Sequence, residues 1–248
     1  MTLAASQIPG NHLDRTKPHA VVIGSGIGGL AAAIRLAARG YRITVLERLD
    51  APGARAYVHK RDGFSFDAGP TIITAPFLLE ELWSLCGRRF EDDVQLKLMD
   101  PFYRIRFDDG KIFDYSGDAD KVKAQIAQYS PADVEGYDRY TSLRERVFRV
   151  GFEQLAHEPF THWTDMAKIA PQMALLQSYR TVYGMVSRYI KDPYIRQVLS
   201  FHPLLIGGNP FTVTSIYVLI SFLERKWGVH SAMGGTGAIV KGLVSLVE

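Results

Sequence analysis

The chain has 248 residues, 47% of them hydrophobic and 22% charged, with a formal net charge of +3. That balance fits a globular protein with a sizeable core, in one large domain or two small ones. It is too weakly basic to point to nucleic acid, yet it permits contact with an anionic membrane surface.

Residues 1–18 are polar and mixed, carry no apolar signal-peptide core, and read as a flexible tail. From His19 the sequence runs HAVVIGSGIGGLAAAIRLAARGYRITVLE. A short apolar strand, a glycine turn, an alanine-rich helix, a second apolar strand and a terminal carboxylate follow one another. That order is the βαβ unit that holds the ADP half of a dinucleotide. Gly24 allows the tight turn, Gly26 lets the backbone approach the pyrophosphate, and Gly29 lets helix and strand pack closely. Gly28 lies in the same turn. The helix start directs free N–H groups and a positive dipole end at phosphate. Glu47 ends the second strand, where its carboxylate can accept hydrogen bonds from ribose hydroxyls and repels a 2′-phosphate. Gly40 stands just beyond the helix, where a C-terminal cap belongs.

The next stretch, Pro52-Gly53-Ala54-Arg55, is a turn-rich loop. Its backbone N–H groups and Arg55 suit a second ribose and a pyrophosphate, which favours FAD over NAD. Residues 56–66 alternate around Asp62-Gly63 and predict a hairpin. Residues 77–85 have helical spacing, with Cys86, the one cysteine, just beyond them, so no intrachain disulfide is available, which fits a reducing compartment. A second hairpin is predicted across Asp108-Asp109-Gly110. Ser130, Pro131 and Asp133 read as a helix start, with Ser130 as the cap. The pattern is then mainly helical to about Arg225.

The longest run without Asp, Glu, Lys or Arg covers 197–223. Pro203, Gly207, Gly208, Asn209 and Pro210 interrupt it, so it does not read as one membrane-spanning helix. It is either a buried core around a Gly-Gly-Asn-Pro turn or an apolar surface that dips into lipid. Near Gly234-Gly235-Thr236-Gly237 the chain turns into a last helix and stops inside it, and the sequence is expected to continue. The fold class is therefore α/β: an incomplete Rossmann-like FAD-binding domain over 19–130, a helical substrate and membrane-associated domain over 131–225, and a return towards the first domain over 226–248. No Ser-His-Asp arrangement, metal-ligand cluster or Walker loop is visible.

Taken together, GSGIGGLAAAIRLAARGYRITVLE (24–47), PGARAYV (52–58), GFSFDAGPTIIT (63–74), PFYRIRFDDGKIFDY (101–115), FHPLLIGGNPF (201–211), SIYVLI (215–220), ERKWGV (224–229) and GGTGA (234–238) resemble the bacterial-type phytoene desaturases of the flavin amine oxidase-like superfamily. The resemblance covers the N-terminal half of that family. It implies an FAD enzyme that introduces double bonds into a long carotenoid hydrocarbon, phytoene, by hydride transfer to the flavin, at the inner face of the cell membrane. By carry-over Gly24, Gly26, Gly28, Gly29 and Glu47 hold the ADP half, Arg55 and Ala56 lie near the pyrophosphate, and Asp67 to Thr71 line the flavin or the substrate channel. The family has Gly-Gly-Arg where this chain has Gly53-Ala54-Arg55, so a methyl group enters a tight loop. Asp165, beside Trp163 and Met166, is a candidate proton acceptor bordering an apolar channel, or else a helix-start carboxylate. His202 is a proton shuttle or a structural histidine. The alternatives to a desaturase are a related carotenoid isomerase or oxidase, a non-catalytic nucleotide-binding fragment, and an NAD dehydrogenase.

Overall fold

A computed structural model describes residues 16–155 and 158–248. The tail read over 1–18 lies outside the described residues as far as position 15. Two units divide the chain: one runs to Leu98 and resumes over Val229–Glu248, and the other is Met99–Gly228.

In the first unit β1 (His19–Ile23) and β2 (Arg42–Leu46) pair in parallel, with His19 opposite Arg42 and Ile23 opposite Leu46. The helix α1 (Ile27–Ala38) crosses between them. It buries Leu30, Ala33 and Ile34, the i, i+3, i+4 stripe of an amphipathic helix. Gly40 follows with φ 88°, a conformation that costs a glycine little. Next come β3 (Val58–Arg61) and β4 (Phe64–Asp67), an antiparallel hairpin with Val58 opposite Asp67. Asp62 and Gly63 both have positive φ (52° and 82°), the turn geometry whose twist suits adjacent strands. α2 (Phe77–Leu85) packs Leu82 and Trp83 beside Leu30 and Ile34, and β5 (Leu96–Leu98) closes this part.

The second unit opens with the hairpin β6 (Tyr103–Arg106) and β7 (Ile112–Tyr115), followed by α3 (Ala119–Tyr129) and α4 (Val134–Phe148). Asp118 caps α3 by accepting the N–H groups of Asp120 and Lys121. A six-residue π-helical turn, Arg149–Gln154, leads from α4 towards α5 (Trp163–Leu175), α6 (Val182–Val186), α7 (Pro193–Ser200) and α8 (Leu219–Trp227). Short 3-10 turns over His202–Ile206 and Ser215–Val218 connect the last two helices.

Two local expectations are corrected here. The Ser130 side chain makes no capping bond; instead the buried Asp133 carboxylate accepts the N–H groups of Lys191 and Asp192, each at 2.8 Å. The hairpin β6–β7 belongs with the helices, so the unit begins at Met99 rather than near 131. The reason is apolar burial. Phe113 and Tyr115 share one core with Val122, Ile126, Tyr140 and Val198, and strand texture in sequence says nothing about which partner a strand's buried face will find.

The chain then re-enters the first unit. β8 (His230–Ala232) pairs antiparallel with β5, and α9 (Thr236–Ser245) sets Ile239, Val240 and Leu243 against the cluster that holds Leu30, Ile34 and Trp83. No helix among the described residues is long and apolar enough to cross a membrane.

Candidate dinucleotide-binding site

The site is built at the C-terminal ends of β1 and β2. Gly24 takes φ 100° and donates its N–H to the Leu46 carbonyl at 2.7 Å, which ties the turn to the second strand. A side chain at position 29 would put its Cβ 2.0 Å from the Gly24 carbonyl oxygen. The third glycine is therefore what lets α1 start this close to the strand end. A Cβ at position 28 would meet nothing within 4 Å, so Gly28 is not held by local packing. The first turn of α1 has no side-chain cap and no acidic residue. Its leading N–H groups are those a helix cannot satisfy internally, and they suit an anion.

Glu47 stands beside this turn. Its Oε2 accepts the Ser25 N–H at 2.8 Å and the Ser25 hydroxyl at 2.5 Å, and its Oε1 accepts the Leu49 N–H at 2.9 Å. The N–H of Leu49, with the hydroxyl and N–H of Ser25, holds the Glu47 carboxyl at about 2. These donors favour the charged form, so the group is a permanent acceptor at neutral pH. Ser25 is 3% exposed and also receives the Gly53 N–H on its carbonyl at 3.0 Å. Glycine turn, acidic strand end and following loop are thus joined through one residue that the sequence reading passed over. Its only signal there was a hydroxyl between the first two glycines.

In the loop after Glu47 the two candidate residues differ in exposure. Arg55 is exposed. Ala56 is buried, and its N–H donates to the Gly53 carbonyl at 2.8 Å within the loop's own turn. Ala54 has φ 48°, and a Cβ at Gly26 would lie 3.2 Å from the Ala54 methyl. The methyl that departs from the family pattern therefore sits in a left-handed backbone, next to the second glycine. Left-handed geometry costs a non-glycine residue about 1–2 kcal/mol, while glycine loosens the unfolded chain by about 0.4–1 kcal/mol. Ala54→Gly is expected to gain about 0.5–1 kcal/mol net, read as a higher urea midpoint.

Asp67 was expected to line a flavin or substrate channel. Its carboxylate accepts the Thr236 N–H at the start of α9 at 3.2 Å, and the Thr236 hydroxyl donates to the Pro70 carbonyl. A Cβ at Gly235 would come within 2.5 Å of Asp67 Oδ2, and one at Gly69 within 1.9 Å of the Arg55 carbonyl oxygen. Gly69, Gly235 and Gly237, where an added Cβ would come within 1.9–2.7 Å of a neighbour, are therefore the glycines of DAGP and GGTG that close packing requires.

In the helical unit, Asp165 occupies the third position of α5 and accepts the His162 N–H at 3.1 Å, completing a capping box. That bond and Lys168 hold its carboxyl below the usual range. The geometry is that of the helix-start carboxylate weighed beside the proton-acceptor role. His202 is 2% exposed, with Nε2 3.2 Å from Oε2 of the fully buried Glu224, outside hydrogen-bonding geometry. Oε1 of Glu224 accepts the Tyr103 hydroxyl at 2.6 Å. Burial and the adjacent carboxylate push that hydroxyl well above its ordinary value. Nearby in the same core, Arg144 donates to the Thr141, Ser221 and Tyr115 hydroxyls at 2.8, 3.1 and 3.3 Å. Among the described residues no group of three or more His, Cys, Asp or Glu is placed to hold a metal ion.

The glycine cradle, the free helix start and the ionised Glu47 fit the adenosine diphosphate end of a dinucleotide. Comparison with known proteins agrees. The family described as flavin containing amine oxidoreductase matches residues 27–248. The chain is 52% identical over 226 residues to the lycopene-forming phytoene desaturase of Pseudescherichia vulneris, covering 91% of this chain and 46% of that protein. It is 48% identical over 228 residues to the neurosporene-forming phytoene desaturase of Rhodobacter capsulatus, covering 92% and 44%. The chain thus spans about half the length of the curated relatives it matches. Among solved structures, cyclohexylamine oxidase from Brevibacterium oxydans is 20% identical with a TM-score of 0.59, covering 94% of this chain and 49% of that one. A putrescine oxidase bound to putrescine is 16% identical with a TM-score of 0.58, covering 93% and 49%. These likenesses carry the fold.

Proposed function

This chain belongs to the flavin containing amine oxidoreductase family, and from that premise we propose that it forms part of an FAD-dependent desaturase that introduces double bonds into phytoene. The observation that carries the reading is the coincidence of two things. The turn at 24–29 with the ionised Glu47 is shaped for an unphosphorylated ribose and a pyrophosphate, and the 52% identity to a phytoene desaturase extends through both units. When bound, FAD supplies the two-electron acceptor for a hydride from carbon.

The residues of this chain do the holding. The Gly26 to Gly29 backbone and the start of α1 receive the pyrophosphate, and Glu47 accepts a ribose hydroxyl. A carotenoid hydrocarbon has no carbonyl to polarise and no acidic proton to abstract, so a strong catalytic dyad has no task. Orientation and exclusion of water are what such a substrate requires of a protein. The test is direct. The purified protein should take up FAD with a visible flavin spectrum and convert phytoene in liposomes to more conjugated products. A protein that stays colourless with excess FAD sinks the reading.

We further propose that the protein collects its substrate at the inner face of the cell membrane. Support comes from the turn after α7, where Leu204, Leu205, Ile206 and Phe211 are 41–60% exposed within the uncharged run at 197–223. Such residues are costly to leave in water and gain about 1.5–3 kcal/mol each on full burial. Replacing Leu204 and Ile206 together by glutamate should lower co-flotation with anionic liposomes by at least about tenfold. Unchanged flotation would rule this turn out as the contact.

A further inference from the structure

We propose that Ser25 is a positioning residue for the cofactor: its hydroxyl clamps Glu47 so that one carboxylate oxygen is left facing the adenosine ribose. The inference rests on the flavin reading above and concerns a residue that lies outside the glycine pattern.

The geometry is closed on one side and open on the other. A carboxylate offers about four acceptor positions on its two oxygens. Oε2 of Glu47 takes two donors, both from Ser25, the N–H at 2.8 Å and the hydroxyl at 2.5 Å. Oε1 takes the Leu49 N–H at 2.9 Å. These three bonds leave one acceptor position on Oε1 without a hydrogen bond of good geometry, and the Arg48 N–H also lies close enough to the carboxylate to favour its charged form. A ribose hydroxyl arriving there meets an acceptor whose rotation is already stopped, so less freedom is lost on binding.

Ser25 is itself buried and tied into the turn. It is 3% exposed, its carbonyl receives the Gly53 N–H, and its neighbour Gly24 is bonded to Leu46. The turn fixes its backbone, and its hydroxyl is directed at Oε2 of Glu47. Alanine would keep the backbone bond to Oε2 and lose the side-chain one, leaving Glu47 held by N–H groups alone and freer to rotate about its last torsion.

The experiment titrates the full chain with FAD, following flavin fluorescence, for the wild type, Ser25→Ala, Glu47→Gln and the double variant. A hydrogen bond to a charged group lost from the clamp should raise the dissociation constant about tenfold in Ser25→Ala. In the Glu47→Gln background the same change should alter binding by less than about twofold, because the partner it acts through is already altered. Ser25→Cys, nearly isosteric and a weak donor, should resemble Ser25→Ala and guards against a folding defect.

The pH profile is a second readout that a merely structural role would not move. Wild-type affinity should stay flat on acidification well below the ordinary carboxylate range, since Glu47 remains charged to about 2. In Ser25→Ala the carboxyl rises, so binding should begin to fall at a higher pH. Equal or tighter FAD binding by Ser25→Ala overturns the inference, as does an equal loss in the Glu47→Gln background. Unchanged binding by Glu47→Gln overturns the ribose role of Glu47. Failure of the wild type to bind FAD overturns the flavin reading itself, and so separates the two.

Discussion

Replacing Arg144 with alanine is expected to destabilise the helical unit by about 3–5 kcal/mol, the range for emptying a large core site and orphaning buried polar partners. The side chain is 0% exposed and among the largest fully buried ones in the chain. Its guanidinium serves Thr141, Ser221 and Tyr115 and stands over the Tyr140 ring at 4.9 Å and the Tyr137 ring at 5.4 Å. Truncation removes a donor from three hydroxyls, those of Tyr115 and Ser221 buried and that of Thr141 partly so, and opens a cavity between α4, β7 and α8. Glu224→Gln is the control. It keeps the volume and an oxygen to accept from Tyr103, and puts an amide NH2 in place of the oxygen that faces His202. Its cost should be nearer about 1–2 kcal/mol. Urea unfolding of both variants checks the ranking, and an Arg144→Ala loss under about 1 kcal/mol contradicts it.

Gly29→Ala should abolish cofactor uptake, raising the FAD dissociation constant by at least about a hundredfold, and cost about 2–4 kcal/mol of stability. The added Cβ would stand 2.0 Å from the Gly24 oxygen and 3.1 Å from its carbonyl carbon. Both are backbone atoms, so no side-chain rotation relieves the contact. Either α1 retreats from β1 or the turn opens, and each displaces the N–H groups that face the phosphate. Gly28→Ala, one residue earlier, meets open space. It lies within α1, where alanine is favoured over glycine by up to about 1 kcal/mol. Flavin titration and thermal unfolding should therefore separate two neighbouring glycines that look alike in the motif. Loss of FAD binding in Gly28→Ala, with Gly29→Ala intact, would reverse the assignment.

The elements with a local cause were legible in the sequence. α1 follows from alanine-rich, period-3.6 patterning between glycines at 29 and 40. The hairpin at 58–67 follows from Asp62-Gly63, the pair that accepts two positive φ angles in succession. α2 matches its spacing residue for residue. The nucleotide turn belongs to the same class, because the conformational demands of Gly24 and Gly29 act within a stretch of about thirty residues.

Where partners are distant in the chain, local pattern was silent or misleading. Ser130 has the chemistry of a cap, yet neither it nor Asp133 caps the helix start with its side chain, and the Asp133 carboxylate binds the two distant N–H groups of Lys191 and Asp192. Ala56 sits in a loop that reads as phosphate-binding, and its burial in the cluster that holds residues of α1 and α9 is a tertiary outcome that no local pattern carries. The set of buried Arg144, His202 and Glu224 with half-buried Tyr103 draws on residues up to 121 positions apart, and charge pattern cannot reveal a carboxylate that folding removes from water.

By itself, then, the sequence determined the βαβ unit, its glycine turn, its acidic strand end and the family resemblance, since each depends on backbone conformation or on spacing within a few turns of chain. Only the tertiary structure decided that the β6–β7 hairpin joins the helices, that Asp67 holds the start of α9, and that Ser25 clamps Glu47. Those outcomes depend on which apolar faces are buried together and which polar groups lose water in the process, and no local pattern carries that information.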